Sequence, residues 1–137
     1  MSLPKPMIRK VDCVQFYVPD LDSGIAFYCN QLGHELKWRT EKAAGLGLPE
    51  SDTEIVLQTE RDTLEVDMLV DSADEAAVRF ERAGGKIIVP PFDIQIGKCA
   101  VVQDPWGNQF VLLDMTKGPL KVDEHKNVIG NYSPLDL

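Results

Sequence analysis

Hydrophobic and polar positions alternate near the start of the chain and then change to a helical period. Residues 11–18 alternate, which is typical of a strand with one buried face. Apolar residues recur at helical spacing over residues 21–32, and Asp20 or Asp22 stands where a helix N-cap is preferred. Gly33 follows at the position where glycine commonly ends a helix, and a strand pattern then returns. The pattern predicts a strand, a helix and a second strand.

The same order of elements returns further along the chain. Residues 64–70 alternate, a helical pattern follows Asp71 or Ser72, and a glycine pair and an apolar strand come after it. Corresponding positions in the two passages, such as Gly33 and Gly85, are separated by 52 residues. A repeat with a constant offset indicates one structural unit used twice.

Further strands follow in both halves. Residues 54–59 are strand-like in the first half, and residues 98–102 and 109–113 flank a turn with Pro and Gly in the second. We therefore predict an α+β fold made of two tandem βαβββ modules. The alternative is an unrelated α+β sandwich whose halves are similar by accident.

The length of 137 residues and a hydrophobic content of 44% are enough for one domain with a core. We place this domain at residues 8–116, with one module over about 8–60 and the other over about 63–116. The tail, residues 117–137, is rich in turn residues and has at most a small hairpin.

Composition excludes several classes of partner. The formal net charge is −8, and such a chain is repelled by nucleic-acid phosphates and by anionic lipid. No window approaches the roughly 20 apolar residues of a membrane span, and no signal-peptide pattern is present. Three cysteines without a CxxC spacing suggest neither a zinc ribbon nor a disulfide framework. We expect a cytoplasmic protein with no nucleic-acid or membrane partner.

Three motifs together resemble the vicinal oxygen chelate superfamily, which includes glyoxalases, extradiol dioxygenases, fosfomycin-modifying enzymes and bleomycin-binding proteins. They are the strand-to-helix run from Phe16 to Gly33, the Ala83–Gly85 segment and the Asp104–Asn108 turn. The resemblance covers about residues 8–114 and is specific for the fold, although one fold hosts many reactions. It implies curved sheets around a ligand cavity, and homodimers are common.

The resemblance also implies four metal-ligand positions, on the first and last strands of both modules and usually His or Glu. A divalent ion held there keeps open positions for two substrate oxygens. In this chain the positions map to Cys13, Leu57, Glu65 and Val111, with the second uncertain by one residue within 56–58. Valine and leucine cannot coordinate a metal, and such sites need three or four protein ligands. We therefore expect no resident metal and no other cofactor.

Strand alternation sorts the candidate ligand-binding residues by face. Cys13 and Gln15 share the cavity face of the first strand, Glu65 and Asp67 share that of the corresponding strand in the second module, and Gln58 is a further candidate. We predict that these side chains contact a ligand.

Glu65 is also a candidate general base. Its neighbour on the same strand face is Asp67, and two adjacent carboxylates raise one pKa toward neutrality. The alternatives are that these groups are solvated at a wide cavity mouth or paired with Arg39 or Arg61.

Trp38 and Phe92 are candidates for the cavity wall, although packing in the core is an alternative for both. The segment 90–94 begins with two prolines and is expected to interrupt its strand and form a loop over the cavity mouth.

Two functions stay open on the sequence alone. The first is a metal-independent protein that encloses a small organic molecule. The second is an enzyme, either a glyoxalase-type (lactoylglutathione) lyase, an isomerase or a dioxygenase acting on an oxygenated substrate, with Glu65 as base or as part of an unusual metal site. The valine at position 111 favours the first. We also expect a homodimer whose two-fold axis adjoins strands 11–18 and 64–70, or else a monomer whose tail covers the sheet edge.

Overall fold

The computed structural model describes residues 4–134 of the chain. Within that range it has ten strands, two α-helices and one π-helical segment that directly continues the first helix. In chain order they are β1 (Lys10–Tyr17), α1 (Leu21–Ile25), the π-helical segment (Ala26–Gln31), β2 (Glu35–Arg39), β3 (Ala43–Leu48), β4 (Ser51–Gln58), β5 (Glu65–Leu69), α2 (Ala73–Arg82), β6 (Lys86–Ile94), β7 (Gly97–Gln103), β8 (Gln109–Leu113), β9 (Leu120–Val122) and β10 (Val128–Asn131).

Eight of these strands form one sheet in the order β2-β3-β4-β1-β5-β8-β7-β6. The first four belong to the first half of the chain and the other four to the second half. The predicted α+β fold of two βαβββ modules is confirmed. The modules meet where β1 pairs antiparallel with β5, and each of these strands pairs parallel with the last strand of its own module. Val14 pairs with Val66, 52 residues later, so the local two-fold axis that relates the modules passes between these two residues.

Both helices cover one face of the sheet. The first packs on a cluster that contains Leu21, Leu46 and Leu57, and α2 packs on a cluster that contains Val102 and Leu112. Each helix begins at a side-chain cap of the preferred type. Asp20 accepts from the Ser23 N–H at 2.9 Å, and Ser72 accepts from the Glu75 N–H at 3.2 Å. The opposite face of the sheet is concave and holds the cavity described below.

The buried carboxylate of Asp114 ties the second helix to the sheet. It accepts hydrogen bonds from the N–H groups of Ala73 at 2.7 Å and Lys98 at 2.9 Å, and from the Thr116 hydroxyl at 2.8 Å. Burial by itself raises the pKa of Asp114, but these hydrogen bonds outweigh it and hold the pKa below its usual value. A satisfied buried carboxylate of this kind fixes where α2 begins.

Two local expectations are corrected. The prolines at 90 and 91 do not open a loop over the cavity, because β6 continues through them to Ile94 with an irregular register opposite β7. Proline is tolerated there because β6 is an edge strand, where a missing N–H costs no ladder bond. β3 was not predicted, since its Ala43–Leu48 sequence contains two glycines. One of them, Gly45, leaves the space that the Trp38 indole occupies.

The tail forms an antiparallel pair, β9 with β10, called the tail hairpin below. It lies across the concave face of the sheet. The N–H of Arg39, at the end of β2, donates to the Lys126 carbonyl at 2.8 Å, and Asn131 bonds to Gln95 at the turn between β6 and β7. Residues 135–137 of the tail lie outside the described residues.

The dimer axis expected beside residues 11–18 and 64–70 stays a prediction, and it would not be formed by pairing of strand edges. β1 and β5 pair with each other and each has a second partner strand in the same chain, so neither has a free edge. The two edge strands are β2 and β6, and the tail hairpin covers part of β2 through a bridge from Arg39 to Asn127.

Neither helix within residues 4–134 is long and apolar enough to cross a membrane.

Candidate ligand cavity

A cavity of about 540 Å³ lies between the concave face of the sheet and the tail hairpin. Its volume is within the range of small-molecule sites in proteins. One side of the wall is apolar and draws on the sheet and the hairpin (Ile94, Ile96, Leu113, Met115, Pro119, Leu120, Val122 and Val128). The other side is polar and draws on β1, β2, β4 and β5 (Lys10, Asp12, Cys13, Gln15, Lys37, Trp38, Asp52, Glu54 and Asp67). The space therefore suits a molecule with one apolar and one polar end.

A β-bulge brings two consecutive residues of β1 to this cavity. Val11 pairs with Met68 and Cys13 with Asp67, and the register shifts between them. The residue in between, Asp12, has no partner on β5. In a regular strand neighbouring side chains point to opposite faces, whereas a bulge re-aims one of them. Asp12 and Cys13 consequently both line the cavity, and sequence alternation did not identify Asp12.

Asp67 is the most buried acid of the cavity wall, at 4% exposure. Its Oδ2 accepts from Nε2 of Gln15 at 2.9 Å and from Sγ of Cys13 at 3.4 Å. Its Oδ1 has no hydrogen-bond donor among residues 4–134. Burial first, and then the neighbouring Glu65, raise the pKa of Asp67 to about 8. The protonated form of the carboxyl is therefore favoured, and in that form it can donate a hydrogen bond as well as accept one.

Glu65 does not have the place that the sequence predicted. It is absent from the cavity wall and lies 3.4 Å from Nε of Arg61 in an ion pair. The same arginine donates to Oε1 of Gln15 at 2.8 Å. The pairing with Arg61 that the sequence left open as an alternative is the one observed, and it holds Glu65 at the side of the cavity while Asp67 faces it.

Glu54 is a wall residue that the sequence did not reveal. It lies on β4 opposite Cys13, and its Oε1 accepts from the Trp38 indole N–H at 2.8 Å. Burial raises the pKa of Glu54, and it also raises the pKa of Asp12. A signal was present in the sequence, because Glu54 has the same strand parity as Gln58, which was named.

Leu57, which the sequence assigned to a metal-ligand position, is fully buried on the helix side of β4. Two predicted wall residues also lie elsewhere. Gln58 accepts at Oε1 from the N–H groups of Glu60 and Arg61 at 2.8 Å each, so it holds the connection between the modules. Phe92 is 44% exposed on β6 and is not part of the wall. Of the predicted set, Cys13, Gln15, Trp38 and Asp67 line the cavity.

A sequence model described as the Glyoxalase/Bleomycin resistance protein/Dioxygenase superfamily matches residues 10–112. The match includes all eight strands of the large sheet except the end of β8. The chain belongs to this superfamily.

Solved structures of the superfamily fold support the assignment. Methylmalonyl-CoA epimerase from Mycobacterium tuberculosis is similar with a TM-score of 0.69 and 19% identity, over 82% of this chain and 92% of that one. A Legionella pneumophila protein described as an NAD-dependent benzaldehyde dehydrogenase gives a TM-score of 0.63 and 21% identity, over 75% and 97%. A variant of homoprotocatechuate 2,3-dioxygenase from B. fuscum gives 0.59 and 20%, over 83% of this chain and 36% of the enzyme. No curated protein sequence matches the chain. At these identities the likeness shows the fold alone.

The metal positions of the superfamily can now be assigned by register. Val56 pairs with Gln15 and Val111 pairs with Asp67, and Gln15 and Asp67 are themselves 52 residues apart. Val56 and Val111 are therefore equivalent in the two modules, and Val56 replaces Leu57 as the second position. Cys13 is neutral because burial raises the pKa of its thiol. Within residues 4–134 no group of three or more His, Cys, Asp and Glu is arranged to hold a metal. These residues do not fit a divalent ion.

Proposed function

We propose that this protein encloses a small organic molecule in its cavity without the help of a divalent metal. The observation that carries the proposal is the cavity itself, with valine at both equivalent positions, Val56 and Val111, where superfamily enzymes have metal ligands. Valine has no atom that can coordinate an ion. Val56 is an apolar part of the cavity wall, and Val111 is buried beside Leu113, which favours burial of a hydrophobic group.

Different parts of the cavity wall bind the apolar end and the polar end of a ligand. The apolar end of a ligand is enclosed by Leu113 of β8, by Ile96 of the turn between β6 and β7, and by Leu120 and Val128 of the tail hairpin. Burial of apolar surface contributes about 25 cal/mol per Å². At the polar end Asp67 offers a neutral carboxyl that can donate or accept. A few fixed polar groups in a largely apolar cavity are the usual basis of specificity for a small molecule.

Asp67 also supports a second candidate function, proton transfer on an oxygenated substrate. A catalytic acid or base works best with a pKa near the working pH, and the pKa of Asp67 is raised to about 8. Gln15 and Cys13 donate to Oδ2 and Oδ1 has no donor among residues 4–134, so the Asp67 carboxyl would exchange its proton with a molecule bound against it. In this candidate Asp67 takes the role that the sequence suggested for Glu65, and the reaction is a lyase or isomerase step that needs no metal.

Binding is tested with 4-phenylbutanol, a neutral molecule with an apolar and a polar end, by calorimetry in the presence of EDTA. We expect saturable binding at one site per chain. Val128→Phe, which fills the cavity from the tail hairpin, is expected to weaken it roughly tenfold or more. Ile129→Phe is the matched control, since Ile129 is the next residue and is 60% exposed. Absence of saturable binding, or binding that appears only after addition of Zn²⁺, Ni²⁺, Fe²⁺ or Mn²⁺, would contradict the proposal.

The second candidate is tested by NMR in D₂O with dihydroxyacetone and hydroxyacetone as probes. Proton transfer predicts exchange of their carbon-bound hydrogens above the rate without protein. Asp67→Asn is expected to abolish that exchange, and Glu65→Gln is expected to retain most of it, because Glu65 lies outside the wall. Equal loss in both variants would count against Asp67 as the base.

A further inference from the structure

The polar end of the cavity has a corner formed by Asp12, Glu54 and Trp38, called the acidic corner below. We propose that the acidic corner binds the charged group of an organic cation, so that the ligand is an amphiphilic ammonium compound. This inference rests on the proposed function, since it names the charge class of the molecule that the cavity encloses.

Strand register creates the acidic corner. The bulge in β1 turns Asp12 to the cavity face, and Glu54 lies on the adjacent strand opposite Cys13, the next residue after Asp12. Asp12 is close enough to Glu54 for its charge to raise the pKa of Glu54. Both side chains line the cavity. Two carboxylates thus converge on one end of the same space.

The cations near this end are already paired. Nζ of Lys10 lies 2.6 Å from Asp52, and Nζ of Lys37 lies 3.2 Å from Glu35. Neither Asp12 nor Glu54 forms an ion pair with any residue between 4 and 134. Lys10 lowers the pKa of both carboxyls and Lys37 lowers that of Glu54, but burial outweighs these effects and raises each pKa. The two carboxylates are therefore only partly compensated in a partly desolvated place, which favours an added cation.

Trp38 adds an aromatic surface to the same corner. Its indole N–H is held by Glu54 and its ring fills the space above Gly45, so the ring is fixed. Alkylammonium groups are attracted to the face of a tryptophan ring, and most strongly where water is excluded. A carboxylate pair beside a fixed indole is a suitable environment for an ammonium group.

A second and independent observation points to a ligand with N–H donors. Asp67 is 4% exposed and lines the same cavity, yet its Oδ1 has no donor among the described residues. Buried carboxyl oxygens are almost always satisfied. An ammonium group offers several donors, whereas a carboxylate ligand offers none and would meet the like charges of Asp12 and Glu54.

The charge class is tested with three molecules that share one apolar body: 4-phenylbutylammonium, 4-phenylbutanol and 4-phenylbutanoate. Calorimetry of the unmodified chain at pH 7 is expected to give an affinity for the ammonium roughly tenfold or more above that of the alcohol, with the carboxylate weakest. Asp12→Asn and Glu54→Gln are each expected to remove most of the preference for the ammonium, measured as the ratio of its affinity to that of the alcohol in the same variant.

The control is Asp62→Asn, which removes one negative charge from the exposed connection between the modules and is expected to leave the preference intact. Equal binding of ammonium and alcohol, or tighter binding of the carboxylate through Lys10 and Lys37, would overturn the cation inference and keep the proposed function. Failure of all three molecules to bind would overturn both. The comparison of ligands on the unmodified chain needs no variant, so it holds even where a substitution disturbs folding.

Discussion

Gln15 donates from Nε2 to Oδ2 of Asp67 over 2.9 Å, and this bond joins the first strand of one module to the first strand of the other. Its other end, Oε1, accepts from Arg61. The amide thus orients the buried carboxyl and at the same time connects it to the segment between the modules. A change in the protonation of Asp67 would therefore act on the Gln15 amide and, through it, on the segment that connects the two modules.

The first prediction concerns stability and pH. The folded-state pKa of Asp67 is about 8, above its ordinary value of 3.8. Between these two values the folded chain keeps a proton that the unfolded chain has released, so the contribution of Asp67 to stability falls as pH rises from about 4 to 8. We expect Asp67→Asn to gain stability relative to the unmodified chain over this interval.

The measurement is the free energy of unfolding in urea at pH 5, 7 and 9 for both proteins. The difference between them should grow from pH 5 to pH 7 and change little above pH 8. Glu65→Gln is the companion variant, and by removing the neighbouring charge it should lower the pKa of Asp67 and flatten the dependence. A constant difference between native chain and Asp67→Asn at all three values would refute a raised pKa.

The repeat and the strand–helix–strand start of each half follow from local pattern, and the sequence was sufficient for them. It limited the helix caps to Asp20 or Asp22 and to Asp71 or Ser72, of which the structure has Asp20 and Ser72. The bulge that exposes Asp12 was not predictable in this way, because a bulge is a property of the pairing between two strands and leaves the alternation of β1 nearly intact. Likewise, alternation places Glu65 and Asp67 on the same strand face. It does not show that Arg61 pairs with Glu65 and leaves only Asp67 in the cavity wall.

β3 escaped prediction for a different reason. Its glycines lower strand propensity, but tertiary packing requires them, since a Cβ at Gly45 would overlap the Trp38 indole. The opposite error occurred at residues 90–94, where two prolines indicated a loop. An edge position makes proline acceptable in a strand, and whether a strand is an edge depends on the whole sheet.

Gly45 and Gly47 provide the second prediction, since they stand on the same strand with different neighbours. A Cβ at Gly45 would displace Trp38 and break its bond to Glu54, whereas at Gly47 it would meet only the flexible end of Lys37. We expect Gly45→Ala to destabilise the chain by roughly 1–3 kcal/mol, to shift Trp38 emission to the red and to weaken ligand binding. Gly47→Ala should change none of these by much. Urea unfolding and fluorescence of the Trp106→Phe background, in which Trp38 is the remaining tryptophan, would show the contrast.

The third prediction concerns Asp114. Its removal leaves the buried N–H of Ala73 without a partner and frees the start of α2. Asp114→Ala should therefore cost about 3 kcal/mol or more, because a hydrogen bond from a buried donor to a charged acceptor is lost. Ser72→Ala removes the exposed cap of the same helix and should cost only about 1 kcal/mol. If urea unfolding gave equal losses of free energy of unfolding for the two variants, the hydrogen bonds of Asp114 would not be what holds α2 against the sheet.

Assembly gives the fourth prediction. We expect a homodimer, but the cavity is built within one chain because β1 and β5 pair with each other. Size exclusion with light scattering should give about twice the 15.3 kDa of the chain, since β6 leaves an edge strand with exposed Ile88, Val89 and Phe92. The affinity for 4-phenylbutanol should stay the same when the protein is diluted until the dimer dissociates. A mass near that of one chain at micromolar concentration would reject the dimer and leave the cavity intact.

The last prediction concerns metal. The native chain is expected to give no stoichiometric uptake of Zn²⁺ or Ni²⁺ at the superfamily positions, measured by calorimetry and by elemental analysis after gel filtration, since two of the four are valine.

If those valines are what prevents binding, restoring ligands there should create a site. Cys13→His with Val56→His and Val111→Glu supplies two imidazoles on the adjacent strands β1 and β4 and a carboxylate on β8, beyond β5, and three such ligands are enough for a divalent ion. We expect this triple variant to bind about one ion per chain, and to be stabilised by that ion against urea. The control is the same set of changes with Val111 left as valine, which should bind far more weakly. Stoichiometric metal in the native chain that is lost on Glu65→Ala would show instead that an unusual site exists, and it would overturn metal-independent binding.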